Sequence, residues 1–326
     1  MADEPLLNDR GQVVQPLLVV DFDAAAMPSV HPGDRLLIGV ATGPLDEPRR
    51  ALARRLDLTL VPTDAVAGPQ FAGSADPVAD VNMLRAAAQA NPQAALALAS
   101  VLRAGPPEVA VALDLESFAY STLLGGAEFA RWLSRRGPRR PPPLARQPPV
   151  LIDRSATRLR ITLNRPERRN AYGREVRDAL VEALRLAVLD DTIQQVVLNG
   201  VGPSFSAGGD LDEFGTTPDL TTAHFVRTRA GAGQLLYQLS GRLEAQVHGS
   251  CVGAGIELPA FAGRVIARPG TTFRLPELAM GLIPGAGGTV SIPRRIGRWR
   301  TLYLALSDRA LDAATALEWR LVDAIE

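Results

Sequence analysis

The sequence contains no lysine: all 35 residues of its basic count are arginines, balanced by 35 acidic residues. Schiff-base chemistry and the lysine of a phosphate-binding P-loop are thereby excluded. Net charge is zero, so the chain lacks the basic excess expected of a protein that binds nucleic acid or an anionic membrane surface. A single cysteine, Cys251, rules out an internal disulfide. The three histidines, His31, His224 and His248, are scattered without the spacing of a metal site. No apolar run approaches the ~20 residues of a membrane-crossing helix, and the opening Met-Ala-Asp-Glu-Pro carries no basic leader. The expectation is a soluble, cytoplasmic protein that binds neither nucleic acid nor membrane.

Apolar residues are plentiful. At 46% of 326 residues they supply a large core, enough for one big domain or two modest ones. The clearest boundary is Pro138 to Pro149, with six prolines and three arginines in twelve residues, a composition that forms neither helix nor central strand. It reads as an extended connector.

After it, Arg158 to Leu163 alternates polar and apolar residues as a half-buried strand does. Arg174 to Leu189 has helical apolar spacing, and Gln195 to Asn199 reads as the next strand. This β-α-β unit indicates an α/β fold. Short strands are expected at Leu243 to Val247, Arg264 to Arg268 and Thr271 to Arg274. Gly287 to Arg295, Thr301 to Leu306 and Ala313 to Trp319 are expected to be helical. Before the connector, Pro77 to Ala90, Pro92 to Arg103 and Glu108 to Arg136 are predicted helices. Leu17 to Phe22, Leu36 to Val40 and Leu58 to Val61 are predicted strands, with a helix over Glu47 to Leu56. The divisions expected are 1–75, a small α/β segment; 76–137, a helical region; 138–149, the connector; and 150–326, the core.

The chemistry-bearing stretch is Val247 to Thr289. A Gly-Ala-Gly turn ends at Glu257, Glu277 follows, and Gly285-Ala-Gly-Gly-Thr289 reads as the start of a helix whose dipole favours negative charge nearby. Upstream, Phe205-Ser-Ala-Gly-Gly-Asp-Leu211 forms a second glycine-rich corner. A glutamate is usually a solvated surface residue, but these two sit in apolar company, where burial needs a partner or a function. Two carboxylates beside one water would share charge, raise one pKa and serve as acid and base.

These segments, with Leu163-Asn-Arg-Pro-Glu-Arg-Arg-Asn-Ala171, resemble the enoyl-CoA hydratase/isomerase, or crotonase, superfamily. The resemblance implies a ββα spiral core over 150–326, with an additional N-terminal α/β and helical region. It places an oxyanion hole on the backbone N–H groups of Gly209 and Ala254, and acid/base roles on Glu257 and Glu277. It assigns coenzyme A contacts to Arg165, Arg168, Asn170, Ala171, Ala207, Asp210 and Leu211. It implies no separate cofactor, coenzyme A being part of the acyl-CoA substrate, and a homo-oligomer, trimer or hexamer. The reaction implied is a lyase step, water added across or removed from the 2,3 bond of an acyl-CoA thioester. Isomerisation or another reaction of the same family, and a non-catalytic assembly subunit of the same fold, are the alternatives. The family's C-terminal helical tail is similar to the stretch from Asn91 to Arg136, so the tail is expected to have been relocated ahead of the core.

Overall fold

The computed structural model describes residues 5–24, 33–139 and 147–326. Most of the proline connector, residues 140–146, lies outside the described residues.

The chain opens with a four-stranded parallel sheet, β1 (Leu17–Asp21), β2 (Leu36–Val40), β3 (Leu58–Pro62) and β4 (Phe71–Ser74), in sequential order, with α1 (Glu47–Ala53) between β2 and β3. Both faces of this sheet are covered. Leu36, Ile38 and Val40 of β2 join the main core, whereas Leu37 and the following Ala41 join a second cluster with Leu45, Ala53 and Leu56. That alternation is the period-2 geometry of a strand. Four helices follow: α2 (Pro77–Ala90), α3 (Pro92–Ala104), α4 (Val109–Leu124) and α5 (Ala127–Arg135). The single helix expected over Glu108 to Arg136 is two, because Gly126 takes an extended ψ of 156° and opens α5. A pair of adjacent glycines makes that break inexpensive.

The second half holds β5 (Val150–Ser155), β6 (Arg158–Leu163), α6 (Arg174–Leu189), β7 (Gln195–Gly200), α7 (Leu220–Arg229), α8 (Gly233–Gln238) and β8 (Leu243–Val247). It continues with β9 (Ser250–Val252), α9 (Ala254–Glu257), β10 (Arg264–Ala267), β11 (Thr272–Arg274), α10 (Gly288–Ser307), β12 (Leu311–Asp312), α11 (Ala313–Glu318) and β13 (Ala324–Ile325). A six-stranded sheet runs β13-β10-β8-β7-β6-β5, parallel except for the β5–β6 hairpin, and a three-stranded sheet runs β12-β11-β9. The strand reading of 158–163 and the helix reading of 174–189 hold to the residue.

One element ties the halves together. Helix α10, kinked at Gly297 (φ 82°), packs against α2, α3, α4, β3 and β4 along its length while its first turn faces α9. Trp299 Nε1 donates to the carbonyl of Leu56 at 3.0 Å, and Arg298 reaches Asp57 at 3.4 Å. The main apolar cluster therefore runs without interruption from Leu36 to Leu302 and Val322. No helix of the described residues is long and apolar enough to cross a membrane.

Candidate active site

The two glycine-rich corners nest against each other. Ser206 bridges Cys251, and Val252 N donates to Ser206 O at 3.1 Å. A Cβ on Gly208 (φ 89°) would stand 2.6 Å from the carbonyl oxygen of Val252, so only glycine fits that approach. Beyond this contact, the N–H groups of Gly209 and Ala254 both border one cavity, and no acceptor among the described residues takes either of them. Ala254 opens α9 with negative φ, so its side chain costs nothing in backbone strain.

The cavity has a volume of about 410 Å³, and Glu257 and Glu277 are both in its wall. They are almost fully buried, at 2% and 8% exposure. A Cβ on Gly253 (φ 50°) would stand 2.5 Å from Glu277 Oε1 and 3.8 Å from Glu257 Oε1, so both oxygens border the space beside this glycine. Glu257 Oε2 accepts from Ala286 N at 2.7 Å and from Gly288 N at 2.9 Å. With Oε2 so occupied, a proton on this carboxyl belongs on Oε1, the atom turned toward Glu277. Glu277 Oε2 is buried and has no hydrogen-bond partner among the described residues.

A third acid joins them from the first half of the chain. Glu116 of α4, 2% exposed, accepts from Gly287 N and Thr289 N, each at 2.8 Å, and from Thr289 Oγ1 at 2.7 Å. Glu257 and Glu116 thus take alternate N–H groups of the segment 286–289, two acids on the start of one helix, where the helix dipole favours negative charge. Burial nevertheless dominates all three. It pushes Glu277 up to about 8 and Glu116 up to about 7, and it raises Glu257 well above the usual carboxylate range, with the neighbouring acids adding to the shift. Burial thus favours the protonated form of all three carboxyls.

Glu116 and its neighbour Tyr120 escaped the sequence reading. Both line the cavity with Leu113, one helical face at spacings of three and four. The available signal was an acid inside an otherwise apolar helix, in Leu113-Asp-Leu-Glu-Ser-Phe118. Two further walls, α7 and α8, lie in a stretch where the sequence offered no readable motif.

Of the residues expected to contact coenzyme A, Asp210 borders the cavity, and Arg165, Arg168, Asn170, Ala171, Ala207 and Leu211 do not. Asn170 is fully buried, and its amide is spent inside the protein. Its Oδ1 accepts from Arg165 N at 2.8 Å, and its Nδ2 donates to the carbonyls of Val201, Ser204 and Phe205 at 2.9 to 3.0 Å. It holds the corner in shape. Arg165 pairs with Glu167 and Glu175, and Arg168 with Asp210 and Asp212, so an incoming phosphate competes with carboxylates for either guanidinium. Among the described residues no group of three or more His, Cys, Asp or Glu is arranged to hold a metal ion.

The enoyl-CoA hydratase/isomerase family model matches residues 153–326. The 2,3-dehydroadipyl-CoA hydratase of Escherichia coli (strain K12) is 34% identical over 173 residues, 53% of this chain and 67% of that protein. The 1,2-epoxyphenylacetyl-CoA isomerase of the same organism is 37% identical over 167 residues, 50% of this chain and 63% of that protein. Among solved structures, a putative enoyl-CoA hydratase from Thermobifida fusca YX in complex with CoA superposes with a TM-score of 0.50 at 29% identity, over 55% of this chain and 72% of that one. The chain thus spans about two thirds of the length of the relatives it matches, and Glu116 and Tyr120 fall outside the family match. On the match over 153–326 and the fold of the same segment, the chain belongs to the enoyl-CoA hydratase/isomerase family.

Proposed function

We propose that the protein adds water across, or removes it from, the 2,3 double bond of an enoyl thioester carried on coenzyme A. The observation that carries this reading is the Glu257–Glu277 pair, two buried carboxyls facing one small space beside two N–H groups without acceptors. The thioester oxygen accepts from Gly209 N and Ala254 N, and each such donor contributes about 3 kcal/mol as negative charge develops there. One glutamate, ionised, takes a proton from water as the water oxygen bonds to C3. The C2–C3 π electrons move toward the thioester oxygen as an enolate. The other glutamate, protonated, delivers its proton to C2, and the net change is one water added. Burial raises both carboxyls above the usual carboxylate range, Glu277 to about 8, which suits a group that must hold and release a proton in that exchange.

The helices of 76–137 complete the site in this reading. Leu113, Glu116 and Tyr120 supply part of the cavity wall, which supports their assignment as the relocated counterpart of the family's helical tail.

One observation favours isomerisation as a second reading. Glu257 is immobilised by two backbone N–H groups, whereas Glu277 has an oxygen with no partner, as a lone proton shuttle between two carbons would. One of the relatives, at 37% identity, is named as an isomerase.

The test is the loss of the conjugated thioester absorbance when a short trans-2-enoyl-CoA is mixed with wild type, Glu257→Gln and Glu277→Gln. For hydration, each variant should lose about 10²- to 10⁴-fold in kcat. If only Glu277→Gln is impaired and the wild type interconverts 3-enoyl and 2-enoyl thioesters without adding water, the isomerase reading replaces it.

A further inference from the structure

A cation that forms no ion pair among the described residues sits in the wall of the same cavity. Arg227 of α7 donates from Nε to Ser117 Oγ at 3.2 Å and from Nη2 to the Ser117 carbonyl at 3.3 Å and to Ser121 Oγ. Its guanidinium carbon lies 4.5 Å from the centroid of the Tyr120 ring. All of these partners are neutral. Among the described residues no carboxylate forms an ion pair with it, and Nη1 donates to no group.

The other arginines bordering the cavity differ. Arg177 pairs with Asp178, and Arg174 is exposed, where water screens its charge. Glu116 is the acid whose field Arg227 feels, but its oxygens are committed to Gly287 and Thr289. A half-buried guanidinium stays charged, and its desolvation is costly until an anion meets it. Three contacts to α4 hold the guanidinium in place before any ligand arrives and leave Nη1 to meet a further acceptor. Leu113, Leu124, Phe214 and Val226 line the same cavity with apolar surface that suits a hydrocarbon spacer.

We infer that the cavity takes an acyl thioester whose far end is a carboxylate, the monothioester of a short dicarboxylic acid, with Arg227 as the counter-ion that selects it. The inference rests on the thioester reading above and adds the class of acyl group. One carboxylate oxygen would meet the unengaged Nη1, and the methylene chain would lie along the apolar wall toward the glutamates.

The experiment is calorimetric binding of saturated thioesters to the full chain, in pairs matched for length: succinyl- with butanoyl-CoA, glutaryl- with pentanoyl-CoA, adipyl- with hexanoyl-CoA. Saturated ligands keep binding separate from turnover. In wild type the best dicarboxylic member should bind about 10- to 100-fold tighter than its neutral partner, the range of a charge-assisted hydrogen bond. Arg227→Gln should abolish that ratio by weakening the dicarboxylic ligand alone, and Arg227→Lys should keep part of it. Equal affinities in wild type would overturn the inference, as would a ratio that survives Arg227→Gln. Equal weakening of both ligands in the variant would overturn it too, marking Arg227 as a helix tether or a contact to the coenzyme A phosphates. Binding of neither thioester to wild type removes this inference and the thioester reading together. A preserved ratio without hydration or isomerisation removes only the proposed reaction.

Discussion

Asp57 and Glu277 are both buried acids, yet their surroundings are opposites. Asp57, beside the N-terminal sheet, accepts from Arg103 Nε at 2.7 Å, from Arg298 at 3.4 Å and from Leu37 N at 2.9 Å. Asp80 is treated in the same way, held by Arg309 at 2.7 Å and by Ser74 Oγ at 2.6 Å. At the cavity, Glu257 and Glu116 receive only N–H groups and one hydroxyl, and Glu277 Oε2 has no hydrogen-bond partner among the described residues. Burying an acid with arginines fixes a negative charge that then does nothing but hold structure. Burying it without them leaves the proton exchangeable near neutral pH, which is the condition for acid/base work. The first half thus contributes scaffold, with Glu116, Tyr120 and the partners of Arg227 as its reach into the chemistry.

The largest expected effect tests whether that scaffold is separable. Removing residues 1–148 exposes the apolar length of α10 and one wall of the cavity, so a 149–326 fragment should aggregate or lose cooperative unfolding. A soluble fragment with wild-type turnover would show the halves to be independent. Next in size are the 10²- to 10⁴-fold losses expected from the two glutamate variants, which probe the acids buried without an arginine partner.

Asp57→Ala probes the opposite kind of acid. It leaves Arg103 and Arg298 facing each other without their shared carboxylate and should cost about 3 kcal/mol in urea unfolding, with kcat little changed. A fall in kcat without a fall in stability would break the division between structural and chemical acids.

The smallest effect is on pH dependence. Glu277 in the folded protein is raised to about 8, far above an unfolded glutamate. Its folded form binds the proton more tightly, so its contribution to stability is full below the unfolded pKa and declines as pH rises through about 8. Glu277→Gln should therefore match wild type near pH 5 and exceed it in urea midpoint near pH 8. The reverse sign at pH 8 would mean that this carboxylate has a cationic partner after all.

The periodic elements were legible in the sequence because burial of one face imposes a period that survives in one dimension. Leu159, Ile161 and Leu163 alternate, and α6 repeats its apolar positions every three to four residues. The short strands β4 and β9 and the helices α7 and α8 were not identified. Three to ten residues with mixed polarity, such as Leu220-Thr-Thr-Ala-His, carry no period that outweighs a loop reading. The site was half legible. Glu257, Glu277, Gly209 and Ala254 sit in glycine-rich corners whose backbone demands are written locally, and the fold brings all four to one cavity. Asn170 was legible as important but not in kind, since an asparagine looks the same whether its amide faces a ligand or, as here, three carbonyls of its own chain.

By itself, then, the sequence determined an α/β chain of the enoyl-CoA hydratase/isomerase family, the two glutamates and the glycine corners beside them, because each depends on neighbours a few residues away. Only the tertiary structure decided that Glu116 shares a helix start with Glu257 across 141 residues of chain. It also decided that Arg227 forms no ion pair among the described residues and that Asp57 pairs with two arginines. Those are facts about which charges meet in a medium of low dielectric, and pairing over such distances leaves no mark on the local pattern of residues.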